Sequence, residues 1–458
     1  MTTTTTRQAA TGTGSALWAP DRRGPTIGIV LLITLIAFED MGVNTAMPRI
    51  VADLHGGAMY AWPFVAFLGA SVATSVLSGR LCDRRGPVPG MLLGPAVFMA
   101  GLVVSGTAVS MPMLLVGRML QGVGAGTQGV AVMVLIAAVY PEHDRPAAYG
   151  ALSTAWVVPA LVGPAISGLV TEHLSWRLVF LGLVPLVMVG LAALVPVLRR
   201  LPAQPRSGST PRRGLAYAAV GAAVGLAGLN WAAGHPSWLS LGIGVVAGAV
   251  LVPSLLRLLP AGTLRAARGL PVTILARGLM SGAYFAVIAY VPLTMIAVHG
   301  YSPSLAGVPL TVGALGWSAA AMWQARHPDV PRARLLRVGF VFLAVGVLLV
   351  AVTAPSFGPA WLVMPALAIG GAGMGLGISA QSMLTLSLSP AEERGFNSSA
   401  LQISDMLGQV VLVSVGGVLL TALASTAHPT AAVLPLDLAM GAVALAGALV
   451  AARVNARR

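Results

Sequence analysis

Charge is what this sequence has least of. Only 9% of its 458 residues are charged, while 57% are hydrophobic. A soluble domain carries about 25% charged residues, so a chain this long cannot cover itself in water. Lysine is absent: all 27 basic residues are arginine. That uniformity matches the codon bias of a GC-rich genome and carries no functional reading. One cysteine, Cys82, excludes an intrachain disulfide. There is no P-loop and no Gly-x-Ser-x-Gly, and the seven histidines show no metal-ligand spacing. Neither an enzyme nor an ATP-driven pump is therefore expected, and neither a metal nor a cofactor. The densest polar cluster, Glu142-His143-Asp144-Arg145, reads as a solvated turn.

What is present is apolar length. Helix-length apolar segments lie near 25–48, 60–80, 88–109, 112–138, 146–170 and 175–198, then 214–234 and 238–258. Six more lie near 270–297, 303–324, 335–353, 359–384, 395–423 and 431–452. The expected fold is an all-α polytopic membrane protein of about 14 spans. Barrel strands would be shorter and would alternate. The first run, Ile27 to Pro48, is long, contains acids and lacks a small-residue cleavage site, unlike a signal peptide. The Thr-rich stretch before it is expected to be disordered.

The arginines follow this span assignment. About 23 of the 27 fall in one alternate set of loops and tails, and two in the other. That is the positive-inside pattern, so the net charge of +14 is not a nucleic-acid footprint. Both termini are expected on the cytoplasmic side of the inner membrane. The Pro-, Ser- and Arg-rich stretch 199–213 reads as a cytoplasmic linker. The expected plan is a tail at 1–24, a six-helix bundle at 25–198 and two extra helices at 214–258. A loop at 259–269, a second six-helix bundle at 270–452 and a tail at 453–458 complete it. Two such halves holding a substrate near the midplane are a known transporter logic.

Particular stretches carry a resemblance. Gly79-Arg80-Leu81-Cys82-Asp83-Arg84-Arg85-Gly86 follows the second span. It resembles the Gly-x-Leu-x-Asp-Arg-x-Gly loop motif of the major facilitator superfamily. Arg118-Met-Leu-Gln121-Gly122 is similar to that family's Arg-x-x-Gln-Gly, and Pro159 with Gly163-Pro164-Ala-Ile-Ser-Gly168 to its "antiporter" motif. Trp176-Arg177-Leu-Val-Phe180, with Pro185, looks like the usual start of the sixth helix. Glu39-Asp40-Met-Gly-Val-Asn44-Thr-Ala-Met47-Pro48 is similar to the Asp-x-x-x-x-Asn-x-Ala-Leu-Pro signature of the 14-helix drug:proton branch, with Glu39 where that branch has Asp. The second half matches more weakly: Gln324 to Arg334 keeps Asp329 of the loop motif but loses both glycines. Asp405-Met-Leu-Gly408 stands where the family often has Arg-Gln-Leu-Gly. The resemblance implies the major facilitator fold and export of a lipophilic, possibly cationic, drug or metabolite in exchange for protons. The alternative is a lipid or lysolipid translocator, or an uncoupled facilitator. Partners are then small molecules, protons and membrane lipids, and the chain is expected to be a monomer.

The residues support specific roles. Arg118 lies inside an apolar span, where a charge costs about 2.5–3.5 kcal/mol on insertion scales and demands a partner or a wet cavity. Glu39 and Asp40 lie at similar depth, which makes an ion pair feasible; adjacent residues point about 100° apart. A carboxylate paired with arginine stays ionised and, once unpaired in an apolar site, takes a proton, which is the logic of a coupling switch. The alternative is a static pair. Asp405, about ten residues into its span, is a second candidate carrier. Arg277 is about seven residues from its helix start and is expected to snorkel; Asp437 is expected to be interfacial. Asn44, Gln121, Tyr284, Tyr290 and Trp317 are candidate cavity residues, with Trp62, Trp156 and Trp323 as weaker ones. In the loop motif, Gly79 and Gly86 allow a tight turn, and Asp83 suits a helix N-terminus. Arg84 and Arg85 suit a latch to the other half; the alternative is a solvated loop. Pro159, Gly163, Pro164 and Gly168 are expected to interrupt the backbone ladder of the fifth helix, kink it and let a neighbour approach closely.

Overall fold

The structure, a computed structural model, describes residues 16–19, 22–141, 144–201, 214–235, 237–390, 393–423 and 430–455. Most of the expected tail 1–24 and linker 199–213 lies outside them, as do Glu142, His143 and the last residues of the tail 453–458.

An apolar chain in a bilayer must satisfy its backbone internally, and helices do so segment by segment. The described residues contain no strand. The helices are α1 (Arg23–Asp53), α2 (Trp62–Arg85), α3 (Val88–Gly106), α4 (Met111–Val139) and α5 (Arg145–His173). Then α6 (Arg177–Leu181) and α7 (Val184–Leu198) form one span with a break between them. Next come α8 (Leu215–Gly234), α9 (Trp238–Leu258), α10 (Leu270–Ala297) and α11 (Pro303–Arg326). The last are α12 (Arg332–Thr353), α13 (Val363–Leu388), α14 (Arg394–Leu423) and α15 (Val433–Ala451). Among the described residues, thirteen helices are long and apolar enough to cross a membrane, and α8 adds a shorter apolar stretch, Tyr217–Ala232. Helix ends follow local chemistry. Ser237 and Ser302 accept from the backbone N–H of Ser240 and Leu305, capping α9 and α11. Gly86, at φ +70°, stops α2 where an L side chain would be strained.

The packing repeats. Helices α2 and α3 lie on α4, as α11 and α12 lie on α13. Helix α1 packs on α5 and α7, as α10 packs on α14 and α15. The two sets meet through α5 on α11, α2 on α14 and α1 on α10. The α8–α9 hairpin sits on α2 and α14, where Ala218, Ala219 and Ala222 join Val65, Val72, Leu407 and Val410. Lipid tails give helices no hydrophobic reason to associate, so close backbone contact must do it. A side chain at Gly122 would strike the Phe67 carbonyl of α2; one at Gly375 would strike the Trp317 carbonyl of α11.

Helix α5 keeps its course past two interior prolines. It runs unbroken from Arg145 to His173 through both Pro159 and Pro164. Each proline removes one donor, but α1 and α11 pack along the helix and keep its course.

Candidate functional site

The first bundle holds a fully buried charge pair. Glu39 of α1 and Arg118 of α4 form an ion pair with side chains 0% and 1% exposed. Arg118 Nη1 also donates to Gln121 Oε1 at 2.8 Å, and its Nε to the Pro63 carbonyl at 3.2 Å. Its guanidinium stands 4.5 Å over the Phe67 ring. Glu39 Oε2 has no partner. The i, i+3 spacing on α4 puts Arg118 and Gln121 on one face, and the Pro63 carbonyl lies in the first turn of α2, toward the end where α1 finishes. Asp40, half-buried, points to another side of α1. Asn44, one turn on, donates Nδ2 to the Asp40 carbonyl at 2.9 Å and is itself buried.

The second bundle holds a different pair. Arg277 of α10 and Asp405 of α14 approach with Nε and Oδ1 3.2 Å apart, an ion contact without hydrogen-bond alignment. Arg277 Nη2 donates to Asp405 Oδ2 at 3.4 Å and Nη1 to the Ile378 carbonyl at 3.2 Å. The expectation that Arg277 snorkels is therefore corrected: the side chain turns inward because α14 offers a carboxylate. Asp437 corrects another expectation. It is 1% exposed, not interfacial, because its face of α15 turns toward α10 and α12.

The candidate aromatics divide. Tyr284 is buried, edge-on to Trp317 at 6.1 Å, inside the second bundle. Tyr290 stands 5.2 Å from Tyr60 and is 1% exposed, so it belongs to the contact between bundles. Trp62 is half-buried, and Trp156 and Trp323 are exposed.

The loop motif corrects the expected tight turn at Gly79: Gly79 to Arg85 form the last two turns of α2, and the chain turns only at Gly86. Gly79 has open space beside it, and Gly86 ends the helix. Asp83, Arg84 and Arg85 are exposed, and none pairs with a described residue of the second bundle in this conformation. Asp83 sits near the C-terminus of α2, not at that helix's N-terminus.

The ties between the bundles lie at the opposite end. Tyr60 donates to the Ala289 carbonyl at 2.9 Å. The Ser304 N–H, in the first turn of α11, donates to Glu172 Oε2 at 3.1 Å, and its hydroxyl donates to the same oxygen. A side chain at Gly168 would meet the Pro303 carbonyl, and one at Gly307 the Pro164 carbonyl. Gly163 sits at ordinary contact distance from Met41 and Phe38 of α1. The Pro159–Gly168 stretch is thus the face of α5 that carries α1 on one side and α11 on the other. Glu172, Tyr60 and Ser304 escape a reading of the sequence, because each partner lies more than a hundred residues away.

Two six-helix sets in a repeated arrangement, a buried acid–arginine pair and a closed end between the sets are features of one transporter class. Residues 29–413 match the Major Facilitator Superfamily. The chain belongs to that family. This facilitator is a multi-pass membrane transporter, not an enzyme. Its relatives include the multidrug transporter protein MdtP of Bacillus subtilis, 30% identical over 40% of this chain and 33% of that protein. An acurin A biosynthesis cluster transporter of Aspergillus aculeatus is 30% identical over 48% of this chain and 42% of its own. The chain thus matches less than half the length of these relatives. Among solved structures, the POT family transporter PepTSo superposes with a TM-score of 0.70 at 13% identity, covering 94% of this chain and 97% of that one. A transporter of the same family in complex with 5-aminolevulinic acid gives 0.69 at 12% identity, over 94% and 96%. Likeness at that identity establishes the fold.

Proposed function

We propose that this facilitator exports lipophilic drugs or metabolites in exchange for protons by alternating access. The observation that carries this reading is the Glu39–Arg118 pair, fully buried inside an apolar bundle. Breaking such a pair leaves each charge unsolvated, so the acid takes a proton and the arginine turns to other acceptors. Gln121 and the Pro63 carbonyl already stand beside Arg118 as such acceptors. Proton and substrate then compete for one site, and arrival of the one accompanies departure of the other. The 30% identity to a multidrug transporter supports the substrate class.

The Arg-rich end is cytoplasmic under this reading, with both termini there, in the inner membrane. The structure is then the state closed toward the outside, with Asp83, Arg84 and Arg85 released and ready to receive substrate from within. Closing the latch at that end would accompany opening of the Glu172–Ser304 contact. One proton moving inward across about 100 mV contributes about 2.3 kcal/mol, enough to drive a neutral solute about 50-fold uphill.

The test is dye or drug flux in proteoliposomes under an imposed pH gradient, in wild type and Glu39→Gln. Flux that follows the gradient in the first and ignores it in the second is expected. Flux indifferent to both gradient and substitution would overturn antiport and favour lipid translocation or facilitated passage.

A further inference from the structure

Asp437 has no part in the coupling scheme above. It lies in the second turn of α15, 1% exposed, and neither carboxyl oxygen has a partner. It borders a narrow crevice walled by Val287, Val291, Thr294 and Met295 of α10 and by Val350 and Thr353 of α12. That crevice has no room for a water molecule. Both threonine hydroxyls are committed to their own helices, Thr294 to the Tyr290 carbonyl at 3.3 Å and Thr353 to the Val350 carbonyl at 2.7 Å. Apart from Asp437, no wall residue is titratable, and α14, which also packs on α15, contributes none to the wall. His299 is tied to the rim, with Nε2 2.7 Å from the Thr353 carbonyl.

A carboxylate here would be an unpaired charge in dry apolar surroundings. A metal cation would need a shell of oxygens that one carboxylate and two committed hydroxyls do not supply. A proton needs neither water nor a shell. The wall is also movable: α10 supplies four of its residues and also the Ala289 carbonyl that Tyr60 holds across the bundles. Separating the bundles at that end pulls on the same helix.

We propose that Asp437 is a second proton-binding site, filled while the far end is closed and exposed to far-side water when the bundles part there. Only the second clause rests on alternating access. Neither readout below involves flux, so this proposal and the antiport reading fail separately.

The experiment uses infrared spectroscopy on the full chain in lipid nanodiscs at neutral pH. Wild type should show a protonated-carboxyl carbonyl band that Asp437→Asn removes and Glu39→Gln leaves in place. If Asp437→Asn, folded by circular dichroism, keeps every such band, Asp437 is ionised and the site is overturned. Asp437→Glu should restore the band at a shifted position, which separates loss of the group from loss of the fold. The second readout is the isotope shift of that band after transfer to D₂O. Cross-linking Glu172→Cys to Ser304→Cys, in a Cys82→Ser background, should slow the shift about tenfold by holding the far end closed. An unchanged rate would overturn the coupling of the site to that end.

Discussion

The two bundles repeat one packing scheme, yet their charges are arranged differently. In the first, Glu39 and Arg118 join α1 to α4 and are sealed at 0% and 1% exposure. In the second, Arg277 and Asp405 join α10 to α14 at 10% and 19%. Helix α10 repeats the place of α1, but its charged residue has the opposite sign and its partner sits on a different helix. Helix geometry is therefore set by small residues and backbone approach, which both halves share. Electrostatics is set one residue at a time. A sealed pair cannot be broken without a protein-side replacement for solvent, whereas a partly exposed pair has less solvation to replace. Under the proposed antiport, the contrast gives the sealed pair the larger part in coupling.

Removing the arginine tests the contrast most severely. Arg118→Met strands Glu39 without its partner and should cost about 3 kcal/mol of stability, with transport lost. Thermal unfolding in detergent checks it, and the double variant Arg118→Met with Glu39→Gln should recover most of the stability but none of the gradient-driven flux. Glu39→Gln alone ranks next: the fold persists while flux no longer follows the pH gradient. Asp405→Asn should do less, because Arg277 keeps the Ile378 carbonyl as an acceptor; a few-fold loss of flux is expected. Flux as low as in Glu39→Gln would reverse the ranking of the two bundles. At the closed end, Gly168→Leu should prise α5 from α11 and raise labelling of a cysteine placed at Thr45, whereas Gly163→Ala should leave it near wild type. The smallest effect is expected from Arg85→Ala, whose side chain pairs with no described residue here; transport slowing without a change in binding affinity would mark it as part of the opposite latch.

Much of this was legible early. Apolar length yields the spans and their number, because a bilayer admits only backbone that satisfies itself. Alternating arginine distinguishes the two ends by charge. The depths of Glu39 and Arg118 suggest their pairing, since rise per residue converts position into height. The directions of Arg277 and Asp437 were not legible. Both sit within reach of an interface, and height does not say whether a side chain turns outward or inward. That depended on what α14 and α12 present opposite them.

The sequence by itself therefore determined what is one-dimensional here: membrane residence, spans, the sign of each end and the family. Only the tertiary structure decided which charges meet, that α5 survives its prolines, and that Glu172 clasps Ser304 across the bundles. Those facts depend on helices far apart in the chain being brought together, and residues must meet before their partners exist.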